Sequence, residues 1–167
     1  MKKIILLFLL FIFILSSQAF AKEKDLFDEL KEWEYNVMLG YKGMLSGSPR
    51  SASTVSIRAQ KRIGYPFLLG VEGEAALIRN MAYLKVGVPF SVRLGLADRV
   101  KLDFMVSPGG IYVNNTSRRV QKFAGAGTIG AEVKYFYKSG NSIGLGINYT
   151  ATTNHTDSCN LVSIVGF

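Results

Sequence analysis

The sequence predicts an all-β protein, an antiparallel transmembrane β-barrel of about eight strands with a short N-terminal amphipathic helix. Three observations predict this fold class. The chain opens with an export-type segment, apolar and polar side chains alternate from residue 34 onward, and the charged residues of the strands share one face. Alternation with a period of two places successive side chains on opposite faces of a strand.

Residues 1–21 have the three parts of a secretory signal peptide. Two lysines precede the apolar run Ile4 to Leu15, and small residues at Ala19 and Ala21 follow it. Cleavage after Ala21 leaves 167 − 21 = 146 residues, a length that suits one domain. The alternative is a retained anchor, but the run is short against the roughly 20 apolar residues of a spanning helix.

Residues 22–33 form the predicted amphipathic helix. Leu26, Phe27, Leu30 and Trp33 recur at the spacing of one helical face, and acidic residues lie opposite. Such a segment could lie on the membrane interface or plug the base of a barrel. The alternative is a loosely ordered N-terminal arm.

Residues 34–167 form the predicted barrel domain. Pro89 cannot donate to a strand ladder, which predicts a bulge or local bend in the fourth strand. Residues 107–121 are predicted to form the longest loop, and Gly140-Asn141 a hairpin turn. The predicted strands cover about residues 35–42, 55–60, 67–77, 82–96, 100–106, 127–137, 143–150 and 159–167.

The charged residues of these strands fall on the polar face, which predicts a charged lumen. A lipid-facing charge costs roughly 2 to 4 kcal/mol at the bilayer midplane, so a membrane barrel turns its apolar face outward. The interior of an eight-stranded barrel is normally filled by side chains. The predicted residues form either a structural ion-pair network or a narrow ion path, and they are Arg58, Glu72, Glu74, Lys85, Arg93, Lys101, Asp103, Glu132 and Lys134.

Composition limits the partners and the chemistry. The net charge is +8, and without the signal peptide eighteen bases against twelve acids leave about +6, which favours anionic partners such as lipid phosphates. No nucleic-acid recognition motif accompanies the charge. Cys159 is the only cysteine, so no intramolecular disulfide can form. The sequence has no phosphate loop, zinc spacing or dinucleotide fingerprint, and we predict no metal and no cofactor.

A second basic group is predicted at the external end. Membrane barrels have short periplasmic turns and longer external loops, with both termini on the periplasmic side. This topology places five bases in or beside external loops, where they could bind lipid phosphates or remain solvated. These residues are Arg50, Arg79, Arg118, Arg119 and Lys122.

The signal peptide, the amphipathic strands and the C-terminal run Leu161 to Phe167 resemble the small, eight-stranded outer-membrane β-barrel proteins of Gram-negative bacteria. The resemblance implies an outer-membrane location, contact with lipopolysaccharide, and recognition of Phe167 by the barrel-assembly machinery. Ser163 departs from the pattern, because it interrupts the apolar face of the last strand.

His155, Asp157 and Ser158 are the residue types of a hydrolytic triad, and some outer-membrane barrels deacylate or acylate lipid A. A polar loop is the favoured explanation of the cluster, and we assign no catalytic residue. The leading hypothesis is a structural or surface-interacting barrel. The alternatives are an outer-leaflet lipid A-modifying enzyme, a narrow solute channel and, for a soluble protein, a lipocalin-like periplasmic binder.

Overall fold

The computed structural model describes residues 32–45, 51–78, 81–115, 120–153 and 157–167. The predicted signal peptide and residues 22–31 of the predicted helix lie outside these ranges, whereas Trp33, the last residue of that helix, begins a strand. The strands are β1 (Trp33–Met44), β2 (Ser51–Gly64), β3 (Phe67–Ile78), β4 (Met81–Gly87), β5 (Phe90–Ala97), β6 (Val100–Asn115), β7 (Val120–Phe136), β8 (Ser142–Thr152) and β9 (Ser158–Gly166).

The strands form one closed antiparallel sheet. Except for β4 and β5, each strand pairs with the next along the chain, and β9 pairs with β1 to close the cylinder. β4 and β5 are two parts of one barrel strand, because both pair with β3 on one side and with β6 on the other. The predicted fold, a closed antiparallel barrel of eight strands, is therefore confirmed. Among the described residues there is no helix long and apolar enough to cross a bilayer.

The break between β4 and β5 lies at Pro89. Gly87 pairs with Gly109 and Phe90 pairs with Val106, so the register is the same on both sides of the break. No residue is inserted, and the predicted irregularity is an interruption rather than a bulge. Backbone bonding continues through it, since Gly70 N–H donates to the Pro89 carbonyl over 3.0 Å.

The prediction of a long loop over residues 107–121 is wrong. β6 continues to Asn115 and β7 begins at Val120, and the two strands pair in register throughout. Pro108 and the two glycines after it suggested a turn, but they are strand residues. A Cβ atom on Gly109 would lie 2.1 Å from the Val86 carbonyl oxygen, so glycine allows the backbones of β6 and β4 to approach closely.

The two faces of the wall have opposite polarity. Outward side chains are apolar and exposed, as at Leu39 and Leu145, which are both 62 % exposed. Inward side chains are polar and buried, as at Arg58, which is 1 % exposed, and Lys134, which is 0 % exposed. A soluble barrel has the reverse arrangement, so this wall is that of a transmembrane barrel.

Aromatic side chains gather at the end of the barrel that holds both termini. Three ring pairs lie there or just above it: Trp33 with Tyr35 at 6.3 Å, Phe67 with Phe90 at 5.6 Å, and Tyr135 with Tyr137 at 5.3 Å between centroids. This band has the composition of an interfacial girdle. The turns at this end are short, and two of them contain glycines at positive φ, Gly64 at 134° and Gly140 at 81°.

Candidate functional site

Among the described residues, the inward face of the barrel carries eleven buried charged side chains, which we call the luminal network. Alternation along each strand brings them inside, and six bases against five acids leave a formal charge of +1. The bases are Lys42, Arg58, Lys85, Arg93, Lys101 and Lys134, and the acids are Glu34, Glu72, Glu74, Asp103 and Glu132.

Glu34 and Lys42 were missing from the predicted set. Both lie on β1 and share the inward face with the buried Asn36 and Met38. The alternation already places Lys42 on the polar face of the first predicted strand, although the predicted network did not include it, and the same parity along β1 assigns Glu34 to that face. The sequence prediction assigned Glu34 to no face, because the first predicted strand began at residue 35.

Arg58 lies at the centre of the network and crosses the lumen. From β2 its Nη1 donates to Glu132 Oε1 on β7 over 2.7 Å, and its Nε donates to Glu72 Oε2 on β3 over 3.2 Å. Lys85 approaches Glu72 Oε1 at 3.0 Å and donates to Thr128 Oγ1 at 3.1 Å. One guanidinium thus links β2 to β7, two strands that share no backbone hydrogen bonds.

A second cluster closes the lumen near the termini. Arg93 binds Asp103 through two parallel hydrogen bonds of 2.7 Å, Nε to Oδ1 and Nη2 to Oδ2. Nη2 also donates to Glu34 Oε2 at 2.7 Å, and Lys134 Nζ donates to Glu34 Oε1 at 2.7 Å. The Arg93 guanidinium carbon lies 4.8 Å from the Phe136 ring centroid. Charge-assisted and bidentate pairs of this kind are the strong class of hydrogen bond.

The third cluster lies nearer the opposite end. Lys42 pairs with Glu74 and donates to the Tyr83 hydroxyl over 2.9 Å, with its Nζ 4.1 Å from the ring centroid. Asn160 donates to Thr54 Oγ1 over 3.1 Å and to Glu74 Oε2 over 3.5 Å. The three clusters are connected, because Lys134 lies 3.5 Å from Glu132 and Lys85 lies 3.9 Å from Glu74.

The inward positions of β8 and β9 are uncharged, and two glycines of β8 make room for the network. A Cβ atom on Gly144 would lie 3.0 Å from the Lys134 Cγ, and one on Gly146 would lie 2.8 Å from the Glu132 Cγ. The buried side chains Met38, Val162 and Ile164 form a small apolar cluster on this side. Charge on one wall is thus accommodated by small and neutral residues on the other.

The network brings together paired ions rather than a reactive group. Removing charge from water is expensive unless each ion finds a partner, and these contacts supply the partners. Within the described residues no group of His, Cys, Asp and Glu side chains is arranged to hold a metal ion. The arrangement fills and braces the lumen.

The predicted external bases are only partly described. Lys122 is exposed on β7, beside Phe123, whose side chain is 74 % exposed. Arg50, Arg79, Arg118 and Arg119 lie outside the described residues. At the exposed opposite end of the barrel, Lys61 Nζ pairs with Glu32 Oε1 at 2.9 Å, and this contact lowers the pKa of the Glu32 carboxyl.

Only two residues of the possible triad, Asp157 and Ser158, lie within the described ranges, and their surroundings differ. His155 lies outside the described residues. Asp157 accepts a hydrogen bond of 2.9 Å from the Tyr149 hydroxyl, whereas Ser158 is buried on the inward face of β9. Phe167 is 52 % exposed, and its backbone N–H donates to the Tyr35 carbonyl over 2.8 Å, so the last residue remains paired to β1.

Solved structures of other proteins have a similar architecture. No protein-family model matches the chain, and no curated protein does. Among solved structures, the chain is similar to Neisserial surface protein A (14 % identity, 81 % of this chain and 96 % of that one, TM-score 0.64). It is also similar to Ail, the attachment invasion locus protein of Yersinia pestis (10 %, 81 % and 98 %, 0.55), and to the outer membrane enzyme PagL (9 %, 80 % and 98 %, 0.51).

These structures share one class of fold. The chain has the fold of the small, eight-stranded outer-membrane β-barrel proteins, as its resemblance to them predicted. Ail has also been solved in complex with the heparin analogue sucrose octasulfate (12 % identity, 81 % and 97 % coverage, TM-score 0.50). The identities are low, so the similarity concerns architecture.

Proposed function

We propose that this chain is an exported outer-membrane barrel without enzymatic activity, whose external end binds phosphate groups of lipopolysaccharide in the outer leaflet. The observation that carries the proposal is the luminal network. Paired buried charge crosses the barrel between strands that are not neighbours, as from Arg58 to Glu132, and it occupies the interior where a channel would lie. Interaction with partners therefore falls to the outer surface.

The connections opposite the termini have a basic charge that suits this role. Segments 45–50, 79–80, 116–122 and 153–157 together contain five bases, namely Arg50, Arg79, Arg118, Arg119 and Lys122, against one acid, Asp157. Four of the five bases are arginines, whose guanidinium groups match phosphate oxygens in a bidentate manner. The exposed ring of Phe123, which follows Lys122 in the sequence and lies on the outward face of β7, adds an apolar contact suited to the lipid beneath a phosphorylated headgroup.

The test compares two triple variants that remove equal charge from opposite ends. Arg118→Gln/Arg119→Gln/Lys122→Gln removes three bases from the external end, and Lys61→Gln/Arg62→Gln/Lys138→Gln removes three bases from the end with the termini. Each barrel in detergent is titrated with lipid A and with dephosphorylated lipid A. At roughly 1 kcal/mol per base, the external variant should lose about a hundredfold in affinity for lipid A, and the control should change little.

Equal loss in both variants would overturn the proposal, because it would show attraction by net charge alone. Equal binding of the dephosphorylated lipid would overturn it as well. Sucrose octasulfate, added as a competitor, distinguishes the source of the anion. Displacement of lipid A by octasulfate at similar concentration would mean that the site accepts sulfated sugars and is not selective for lipid phosphate.

A lipid-modifying enzyme is the second candidate, because PagL, described as an outer membrane enzyme, has the same fold. This candidate predicts that the chain changes the mass of lipid A in expressing cells. It also predicts that His155→Ala/Ser158→Ala abolishes the change. The leading proposal predicts no mass change in either strain.

A further inference from the structure

A shallow groove crosses the outer wall of β5 to β9. Its volume is about 570 Å³, within the range of pockets that hold small molecules. Two rows of outward side chains line it, each joined by direct cross-strand pairing. The first row is Phe90, Val106, Ile129, Tyr149 and Cys159, and the second is Val92, Phe104, Ala131 and Ile147.

The groove exists because Ala131 is the smallest side chain in the second row. It lies between Phe104 on β6 and Ile147 on β8, which are 47 % and 54 % exposed and project beyond it. The alanine methyl forms a low floor, the ring of Phe90 stands at one end of the first row, and the ring of Tyr149 stands next to Cys159 near the other end. A larger residue at position 131 would fill the depression.

The lining offers hydrocarbon surface and almost no hydrogen-bonding groups. The Tyr149 hydroxyl is engaged, because it donates to Asp157 Oδ2 over 2.9 Å at the rim. The Cys159 thiol is a weak donor and acceptor. A polar ligand would lose its water here without compensation, so the lining selects an apolar chain.

The position of the groove identifies the chain. Neighbouring strands are spaced ~4.8 Å apart, so a groove across five strands is ~19 Å long. Because barrel strands tilt by 35–45°, the groove slopes through the bilayer. Its Cys159 end lies where β9 begins, at the end of the barrel opposite the termini, and its Phe90 end lies midway along the β4–β5 strand. It thus descends about as far as one leaflet of hydrocarbon, which is ~15 Å thick.

We propose that this groove binds one acyl chain of an outer-leaflet lipid, which enters at the Tyr149–Asp157 rim and lies over Ala131. The groove is continuous with the apolar wall, so membrane hydrocarbon is the occupant that its surroundings supply. The proposal rests on the membrane location proposed above, and adds a defined lipid site to a wall that otherwise contacts lipid without preference.

The test is native mass spectrometry of the barrel released from outer membranes in mild detergent. The wild-type barrel should retain one lipid, and Ala131→Trp should lose it. Ala75→Trp is the matched control, since Ala75 is also outward and exposed but lies on β3, on another part of the wall. Loss of lipid from both variants, or retention of one lipid by Ala131→Trp, would overturn the proposal.

A second measurement needs no variant. Cys159 is the only cysteine of the chain, so an apolar maleimide reports occupancy at the upper end of the groove. Labelling should accelerate at least several-fold after the bound lipid is stripped, and an unchanged rate would contradict the proposed site. A barrel absent from the outer membrane would defeat the proposed location. A membrane barrel without retained lipid would defeat only the groove.

Discussion

The wall formed by β1 to β7 and the wall formed by β8 and β9 face the same lumen with different chemistry. All eleven buried charged side chains of the described residues belong to the first wall, and β8 and β9 contain no charged residue. The second wall instead offers glycines, neutral polar side chains and the apolar residues Val162 and Ile164. The barrel thus fills one side of its lumen with ion pairs and lines the other side with small or neutral residues.

The difference shows how a narrow barrel accommodates long charged side chains. Arg58 and Lys134 reach across the lumen, and space for Lys134 and Glu132 exists because β8 has glycine at positions 144 and 146. The charged wall supplies bonds that join distant strands, and the neutral wall supplies volume. The predictions below separate these contributions by the free energy of unfolding, measured by urea titration in lipid vesicles.

The largest effect is expected from Arg58→Met. This change removes the cation between Glu72 and Glu132 and leaves buried carboxylates short of partners, which typically costs about 3–5 kcal/mol. Lys61→Met is the control, because Lys61 pairs with Glu32 at an exposed end and such pairs contribute little. Similar losses of unfolding free energy in the two variants would show that the luminal ion pairs stabilise the barrel no more than an exposed pair does.

An intermediate effect is expected from Gly146→Ala on the neutral wall. The new methyl would lie 2.8 Å from the Glu132 Cγ and 3.2 Å from the Ala131 carbonyl oxygen. Overpacking of this kind costs about 1–3 kcal/mol. Gly73→Ala is matched to it, since a Cβ atom there meets nothing within 4 Å. If both variants unfold at the same urea concentration, the network does not need the room that glycine leaves at this position of β8.

The last pair of predictions concerns two buried asparagines, one of which should have little or no effect. Asn160 is hydrogen-bonded to Thr54 and Glu74, so Asn160→Leu should cost about 1–3 kcal/mol. Both side-chain polar atoms of Asn36 are buried without a partner among the described residues, so Asn36→Leu should leave stability unchanged or raise it. The reverse order would mean that Asn36 has a partner of greater weight, such as buried water.

Much of this interior could be predicted from alternation. Parity along the strands placed Glu132 and Lys134 inside, because a polar residue every second position has one favourable face in a membrane barrel. The pairs themselves could not be predicted. Arg58 and Glu132 are 74 residues apart in the chain, and their contact depends on the closure and stagger of the whole sheet.

The main error in the predicted strands has a physical cause. Residues 107–121 contain a proline and two glycines, which usually end a strand, yet β6 continues through them to Asn115. Gly109 is required there by the close approach of the β4 backbone. The close approach of β4 therefore outweighed the local preference of these residues for a turn. The predicted signal peptide and most of the predicted helix lie outside the described residues.

The central claim is that this barrel has its charges inside and its apolar face in lipid. The most direct test fractionates expressing cells and runs the outer-membrane fraction on gels with and without boiling. We predict an outer-membrane band that migrates differently after heating, as a detergent-resistant barrel should. A soluble periplasmic band with the same migration in both samples would contradict the assignment of inside and outside, and would favour a lipocalin-like binder.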